Sequence, residues 1–224
     1  MSTTPATTQD PDKPEPVLDT VERVSEMCFG LFMALTFVGA VSIATADDPN
    51  PARTMFAAAL GCNLAWGLVD AVMYLVRTLT NRGRRITAAR AVKNAADPAT
   101  GRRALAESLP SGARSLVGEA ELEAIRVRVA AAALPPRPRL DGRDYAGSVC
   151  IFLIVVATTF PVALPFLIFD VKTGLVVSRA LTLVMLFGGG LALGHFAGFG
   201  GWKAGLGMTL LGVALTCAII ALGG

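Results

Sequence analysis

The chain has 224 residues, of which 53% are hydrophobic and only 17% are charged, and its mean hydropathy is +0.57. This composition excludes a disordered polar chain and is atypical of a water-soluble domain, so it places the protein in the membrane class. The net charge of +3 hides two opposite regions: residues 1–23 carry five acids and two basic residues, whereas residues 77–143 carry fourteen basic residues and six acids.

Residues 1–20 are rich in proline, threonine and acids, which predicts a disordered tail without a cleavable signal peptide. Five apolar segments follow, each close to the 20 residues that a membrane-spanning helix needs. They cover residues 24–46, 54–76, 147–169, 178–198 and 204–222. We therefore predict an all-α polytopic membrane protein with five transmembrane helices, arranged 2 + 3 around a small cytoplasmic helical insert. The predicted divisions are 1–20 (tail), 21–78 (transmembrane helices 1–2), 79–146 (insert) and 147–224 (transmembrane helices 3–5).

The connections between the spans carry further signals. Two prolines within residues 47–51 predict a tight turn, so that the first two spans form an antiparallel hairpin. In the insert we predict short helices over about 80–96, 97–109 and 119–133, followed by a stiff proline-rich connector at 135–138. The four cysteines lie inside the spans without a CxxC pattern, so we expect free thiols.

The arginines of the insert predict the orientation of the chain in the membrane. Because basic loops stay on the cytoplasmic side, we expect the insert and the N-terminus inside and the C-terminus outside, in the inner membrane of a bacterium. No nucleic-acid-binding motif accompanies the arginines, and we expect them to contact anionic membrane lipid instead.

Asp70 lies within the second predicted span, seven residues before Arg77. A carboxylate at that depth is costly unless it faces protein, water or an ion, so it is a candidate functional residue. Asn63 and Asp70 share one face of the second span, and Glu26 and Met33 share one face of the first.

Antiparallel pairing of these two spans predicts a site for a divalent cation. We expect Glu26 and Asp70 at similar depth, with Met33 and Asn63 nearer the midplane and Met73 as a further sulfur ligand. Carboxylate, amide and thioether ligands suit a borderline cation such as Fe²⁺ or Mn²⁺. Desolvated carboxylates also suit proton exchange, in which Asp70 and Glu26 would take part.

Three other residues are candidates for proton transfer and gating. His195 is the only histidine and lies near the end of the fourth span, where it is either a proton relay or an interfacial side chain. Pro161 and Pro165 each remove a backbone hydrogen bond from the third span, which predicts a kink and a candidate gate. In the last two spans Gly190, Gly194 and Gly198 keep four-residue spacing, as do Gly201 and Gly205, which predicts close helix packing, inside the fold or across a dimer.

No sequence motif of a hydrolase, a zinc protease or a nucleotide-binding enzyme is present, so we expect a protein that is not an enzyme and needs no cofactor.

The chain resembles the vacuolar iron transporter (VIT) family over about residues 22–224. Three stretches and the 2 + 3 topology carry the resemblance: 29–36 in the first span, 160–165 with its two prolines, and 178–215 in the last two spans. It implies a homodimeric exporter that moves Fe²⁺ or Mn²⁺ out of the cytoplasm in exchange for protons. The alternative is a membrane scaffold or regulatory protein that does not transport and whose basic insert binds lipid or a protein partner. Met33, which stands where the family has an aspartate, favours that alternative.

Overall fold

The computed structural model describes residues 18–44, 49–198 and 200–221, and every regular element in these residues is helical. The predicted all-α class is therefore confirmed. The helices are α1 (Thr20–Ala44), α2 (Pro51–Lys93), α3 (Pro98–Ser108), α4 (Ser111–Arg114), α5 (Glu119–Ala131), α6 (Gly142–Ala163), α7 (Pro165–Ile168), α8 (Val171–Ala197) and α9 (Gly201–Ala221).

Four helical segments of the described residues are long and apolar enough to cross a membrane: α2, α6 together with α7, α8 and α9. They are compatible with an integral multi-pass membrane protein. The first predicted span, 24–46, falls on α1, which is not one of these four, and its last two residues lie outside the described residues. The structure thus supports an all-α membrane protein with several spans, but it does not confirm that the number of spans is five.

The N-terminal prediction needs a correction at residues 18–20. Leu18 is buried, and α1 begins with a reciprocal cap between Asp19 and Glu22. The Asp19 carboxylate accepts a hydrogen bond from the Glu22 amide at 2.7 Å, and the Glu22 carboxylate accepts one from the Asp19 amide at 2.9 Å. Such a capping box satisfies amides that a helix leaves without partners, so the ordered chain starts before residue 21. Residues 1–17 lie outside the described residues, as do two residues of the predicted turn, Asp47 and Asp48.

Helix α2 is longer than predicted. The prediction of a separate helix over residues 80–96 is wrong, because α2 continues without interruption from Pro51 to Lys93. The physical reason is that no proline lies between Arg77 and Lys93, and the one glycine there, Gly83, costs only about 1 kcal/mol. The helix ends just before Asp97 and Pro98.

The other insert helices follow their sequence signals. Asp97 caps α3 by accepting a hydrogen bond from the Thr100 amide at 2.8 Å, with proline at the first helical position. Helix α5 covers most of the predicted 119–133 segment, and its Leu122 is buried. The short helix α4 was not predicted from the sequence.

The chain divides into two compact units. The apolar unit contains the described residues up to Ala71 and from Ala146 onward, and the insert unit is Val72–Tyr145. The insert unit begins at Val72 rather than at residue 79, because α2 extends into it.

The core of the apolar unit is made of two clusters. In one, Leu31 and Ala34 of α1 pack with Val162 of α6 and Leu186 of α8. In the other, Met55 and Ala59 of α2 pack with Phe166 of α7. Helix α1 therefore lies among the other apolar helices.

Helices α8 and α9 form the closest hairpin of the apolar unit. A Cβ atom on Gly194 or Gly201 would lie 3.0 Å or less from backbone of the opposite helix or its turn, so the glycine spacing serves contacts inside the fold. Gly198 was predicted to serve close helix packing, but it ends α8 instead. Its φ of 74° ends α8 in the left-handed conformation that glycine adopts most easily.

Candidate ion site

Three helices of the apolar unit meet at Val155 of α6. A Cβ atom on Gly30 of α1 would lie 3.4 Å from the Val155 carbonyl oxygen. A Cβ atom on Gly67 of α2 would lie 3.5 Å from the Val155 Cβ atom. The two glycines therefore let α1 and α2 approach the same residue from two sides, because neither presents a side chain there.

Buried polar groups lie one helical turn from this junction. Asn63 precedes Gly67 by four residues, Thr159 follows Val155 by four, and both side chains are almost fully buried, at 1% and 0% exposure. The Thr159 hydroxyl donates to the Val155 carbonyl at 3.0 Å. The Asn63 amide nitrogen donates to the Ala59 carbonyl, also at 3.0 Å. Both donors are therefore satisfied within their own helices.

The remaining polar atom of this layer is the Asn63 side-chain oxygen, Oδ1. It is buried, and no donor among the described residues reaches it. A buried acceptor without a donor costs about 1–3 kcal/mol, so such an atom calls for a physical explanation. A cation or a water molecule bound to Oδ1 would satisfy this acceptor.

The two acids lie on the other side of the junction. Glu26 precedes Gly30 by four residues and Asp70 follows Gly67 by three, so helical register puts them about 6 Å and about 4.5 Å along the helix axis from the junction. Both side chains are half-buried, one oxygen of Asp70 is buried, and each residue has an interaction partner. At the same level the Ser148 hydroxyl of α6 donates to the Ala71 carbonyl of α2 at 3.0 Å.

The two methionines differ in their surroundings. Met33 is half-buried on α1, three residues beyond Gly30 toward the Asn63 layer, and its carbonyl accepts a hydrogen bond from the Thr36 hydroxyl at 2.9 Å. Met73 is 46% exposed and belongs to the insert unit. Within the described ranges no group of three or more His, Cys, Asp or Glu side chains could hold a metal ion. Asn63 precedes Asp70 by seven residues, about 10 Å along α2, so the amide oxygen and the carboxylates would meet a cation at successive positions rather than together.

His195 lies at the last turn of α8 with an exposed side chain. Its ring meets the ring of Phe196 edge-on, with 5.6 Å between the centroids. The structure thus puts the histidine at a helix end rather than in the junction of α1, α2 and α6.

The proline pair interrupts the third predicted span. Pro161 lies inside α6, and Pro165 starts the separate short helix α7. The Leu164 amide between them still donates to the Phe160 carbonyl at 3.0 Å. Pro165 is buried and Pro161 is half-buried, so both prolines belong to the packed part of the helix.

Sequence reasoning missed two residues of this region. Ser148 bridges α6 to α2, and Thr159 belongs to the buried layer with Asn63. The available signal was their polarity in otherwise apolar spans, but the sequence does not show which of several such hydroxyls face protein.

Comparison of the chain with protein-family models, with curated proteins and with solved structures gives no match.

Proposed function

We propose that this chain is a VIT-like, multi-pass membrane transporter that exports Fe²⁺ or Mn²⁺ from the cytoplasm in exchange for protons. The observation that carries the proposal is the buried Asn63 Oδ1 atom, which has no donor among the described residues. It lies on one side of a junction of three helices, and two carboxylates lie on the other side. A cation is attracted to the oxygen atoms of all three groups.

Each candidate residue has a distinct role in this proposal. Asp70 and Glu26 alternate between binding the metal and binding protons, because a carboxylate cannot hold a proton and a metal on the same oxygen. Asn63 contributes a neutral oxygen that does not titrate. Met33 is the better candidate for a sulfur ligand, since Met73 is 46% exposed. His195 would relay protons at the end of α8, and the break at Pro161 and Pro165 would serve as the gate.

The transport proposal includes a topology. Residues 27–44 of α1 contain no charged residue, and with α1 as the first span the chain crosses the membrane five times. The basic insert then lies in the cytoplasm with the N-terminus, and the C-terminus lies outside, in a bacterial inner membrane. We propose a homodimer, as the VIT resemblance implies.

The test is proton movement driven by metal. The protein is reconstituted into vesicles that contain a pH-sensitive dye, and Mn²⁺ or Fe²⁺ is added outside. Metal entry should change the internal pH for the wild type and not for Asp70→Asn. Asp170→Asn is the matched control, because Asp170 caps α8 by accepting a hydrogen bond from the Thr173 amide, and asparagine caps helices equally well. An unchanged dye signal with the wild type would contradict the proposal.

A further inference from the structure

Most basic side chains of the insert unit have partners. Arg82 binds Asp144, Arg102 binds Glu119 and Glu123, and Arg126 binds Glu123. Arg90 and Lys93 donate to backbone carbonyls of residues 132–136. Five arginines differ from these, because their side chains make no hydrogen bond or ion pair with any described residue. They are Arg84, Arg85, Arg128, Arg137 and Arg139.

Four of these five arginines line two cavities of the insert unit. The first cavity has a volume of about 570 Å³ and is lined by Arg84 and Arg85. The second has a volume of about 400 Å³ and is lined by Arg85, Arg137 and Arg139. The two cavities share Arg85 as a lining residue. Arg128 lines neither of them.

The acids in the cavity walls do not neutralise these arginines, because they already have partners of their own. Glu107 in the first cavity accepts a hydrogen bond from Arg103 at 3.1 Å. Asp141 in the second accepts one from Arg82 at 3.3 Å. The charge that faces the two cavities is therefore positive.

The walls of the first cavity also indicate the chemical groups that a ligand would carry. Asn81 and Ser108 offer neutral polar groups near the arginines, whereas Val92 and Leu105 are buried core residues that form an apolar wall. Guanidinium groups bind phosphate oxygens with two parallel hydrogen bonds. An apolar wall beside them accommodates the carbon part of the same molecule.

We propose that the cavities on either side of Arg85 bind a phosphate-bearing ligand through Arg84, Arg85, Arg137 and Arg139. The phosphate comes either from the headgroup of an anionic phospholipid or from a soluble phosphate compound. This binding is separate from metal transport, since none of its residues belongs to the candidate ion site.

The experiment uses the full chain in lipid nanodiscs. In the first arm, pyrophosphate is titrated into protein in phosphatidylcholine nanodiscs by calorimetry. In the second arm, the protein is assembled with a mixture of phosphatidylcholine and phosphatidylglycerol, and the lipid retained by the protein is identified by native mass spectrometry. The variants are Arg84→Gln/Arg85→Gln and Arg137→Gln, and the control is Arg128→Gln, which changes an arginine that is also exposed but lines neither cavity.

The wild type should bind pyrophosphate or retain phosphatidylglycerol in preference to phosphatidylcholine. The double variant should lose about tenfold in that affinity, and Arg137→Gln a smaller factor, because each lost guanidinium removes charge-assisted hydrogen bonds. Pyrophosphate binding with this pattern identifies a soluble ligand, and lipid retention alone identifies a headgroup. If the wild type binds neither probe, or if Arg128→Gln weakens binding as much as the double variant, the proposal is overturned.

Discussion

Gly190 of α8 and Gly205 of α9 lie in backbone contact: a Cβ atom on Gly190 would be 2.7 Å from the Gly205 Cα atom. Such a distance leaves no room for a side chain on either residue. Because neither position carries a side chain, the backbones of α8 and α9 come into van der Waals contact. This contact holds the two helices together.

Replacing Gly190 by alanine should separate α8 from α9 and destabilise the apolar unit. The added methyl group meets backbone atoms of Ala204 and Gly205, which cannot rotate away. Forced overpacking of this kind costs about 1–3 kcal/mol. Thermal unfolding in detergent, followed by circular dichroism, should give a lower midpoint for Gly190→Ala than for the wild type.

Gly188→Ala is the control on the same helix, since nothing lies within 4 Å of a Cβ atom there. Its unfolding midpoint should equal that of the wild type or exceed it, because alanine favours helix. Equal destabilisation by the two variants would contradict close packing at Gly190.

Asp144 organises the end of the insert unit. Its side chain is buried and accepts two hydrogen bonds from Arg82, at 2.7 and 2.8 Å, and a third from the Asp141 amide at 2.7 Å. Asp144→Asn removes the charge and one acceptor, and should destabilise this region by about 1–3 kcal/mol. Tryptic cleavage after Arg139, which lies in the non-helical connector and precedes Leu140, should become faster.

The matched control is Glu107→Gln, at an ion pair with Arg103 in which both side chains are largely exposed. Exposed pairs contribute little, about 0–1 kcal/mol, so its cleavage rate should stay close to that of the wild type. If Asp144→Asn resists trypsin as well as Glu107→Gln does, the Arg82–Asp144 pair is not what orders the connector.

The insert unit should lose stability in acid through Glu123. Hydrogen bonds from Arg126, and then from Arg102, lower the pKa of Glu123 to about 2. Because this is below the pKa of about 4.3 in an unfolded chain, the stabilisation is complete above that value and is lost as the pH falls toward 2. The hydrogen-exchange protection factors of α3 and α5, which are corrected for the pH dependence of intrinsic exchange, should fall over this range, and the fall should be smaller in Glu123→Gln. An exchange profile that is the same in both proteins would contradict the assignment.

Asn63→Leu should separate stability from function. Leucine has the same number and branching of side-chain heavy atoms and leaves no buried acceptor, so the folded state should be as stable as the wild type or more so. If Asn63 Oδ1 binds the cation, metal transport should fall by about tenfold or more through the loss of one ligand. The two measurements are thermal unfolding and Mn²⁺ uptake. A variant that is destabilised but transports normally would show that Asn63 serves packing alone.

The sequence predicted the elements of this fold better than their limits. Aspartate at position 97 and proline at position 98 place the start of α3 correctly, because a cap is a local interaction. The end of the second helix was misplaced, since arginines after Arg77 change the environment of a helix without stopping it. The 43 residues of α2 could therefore not be divided by hydropathy alone.

Prediction of the candidate site from the sequence was limited in the same way. Helical spacing put Asn63 and Asp70 on one face, but it could not show that Asn63 is buried and Met73 exposed. That difference depends on which helix packs against each face. Nor could spacing show that Gly30 and Gly67 meet the same residue, Val155, because this contact joins three segments that are distant in the sequence.

The central claim is tested most directly by Mn²⁺ and Fe²⁺ flux into proteoliposomes, measured with and without an imposed pH gradient for the wild type and Asp70→Asn. We predict wild-type flux that the gradient accelerates and that Asp70→Asn abolishes, while both proteins remain folded. Flux no greater than in protein-free vesicles, from folded wild-type protein under the gradient, would contradict a proton-coupled metal transporter and would favour the scaffold alternative.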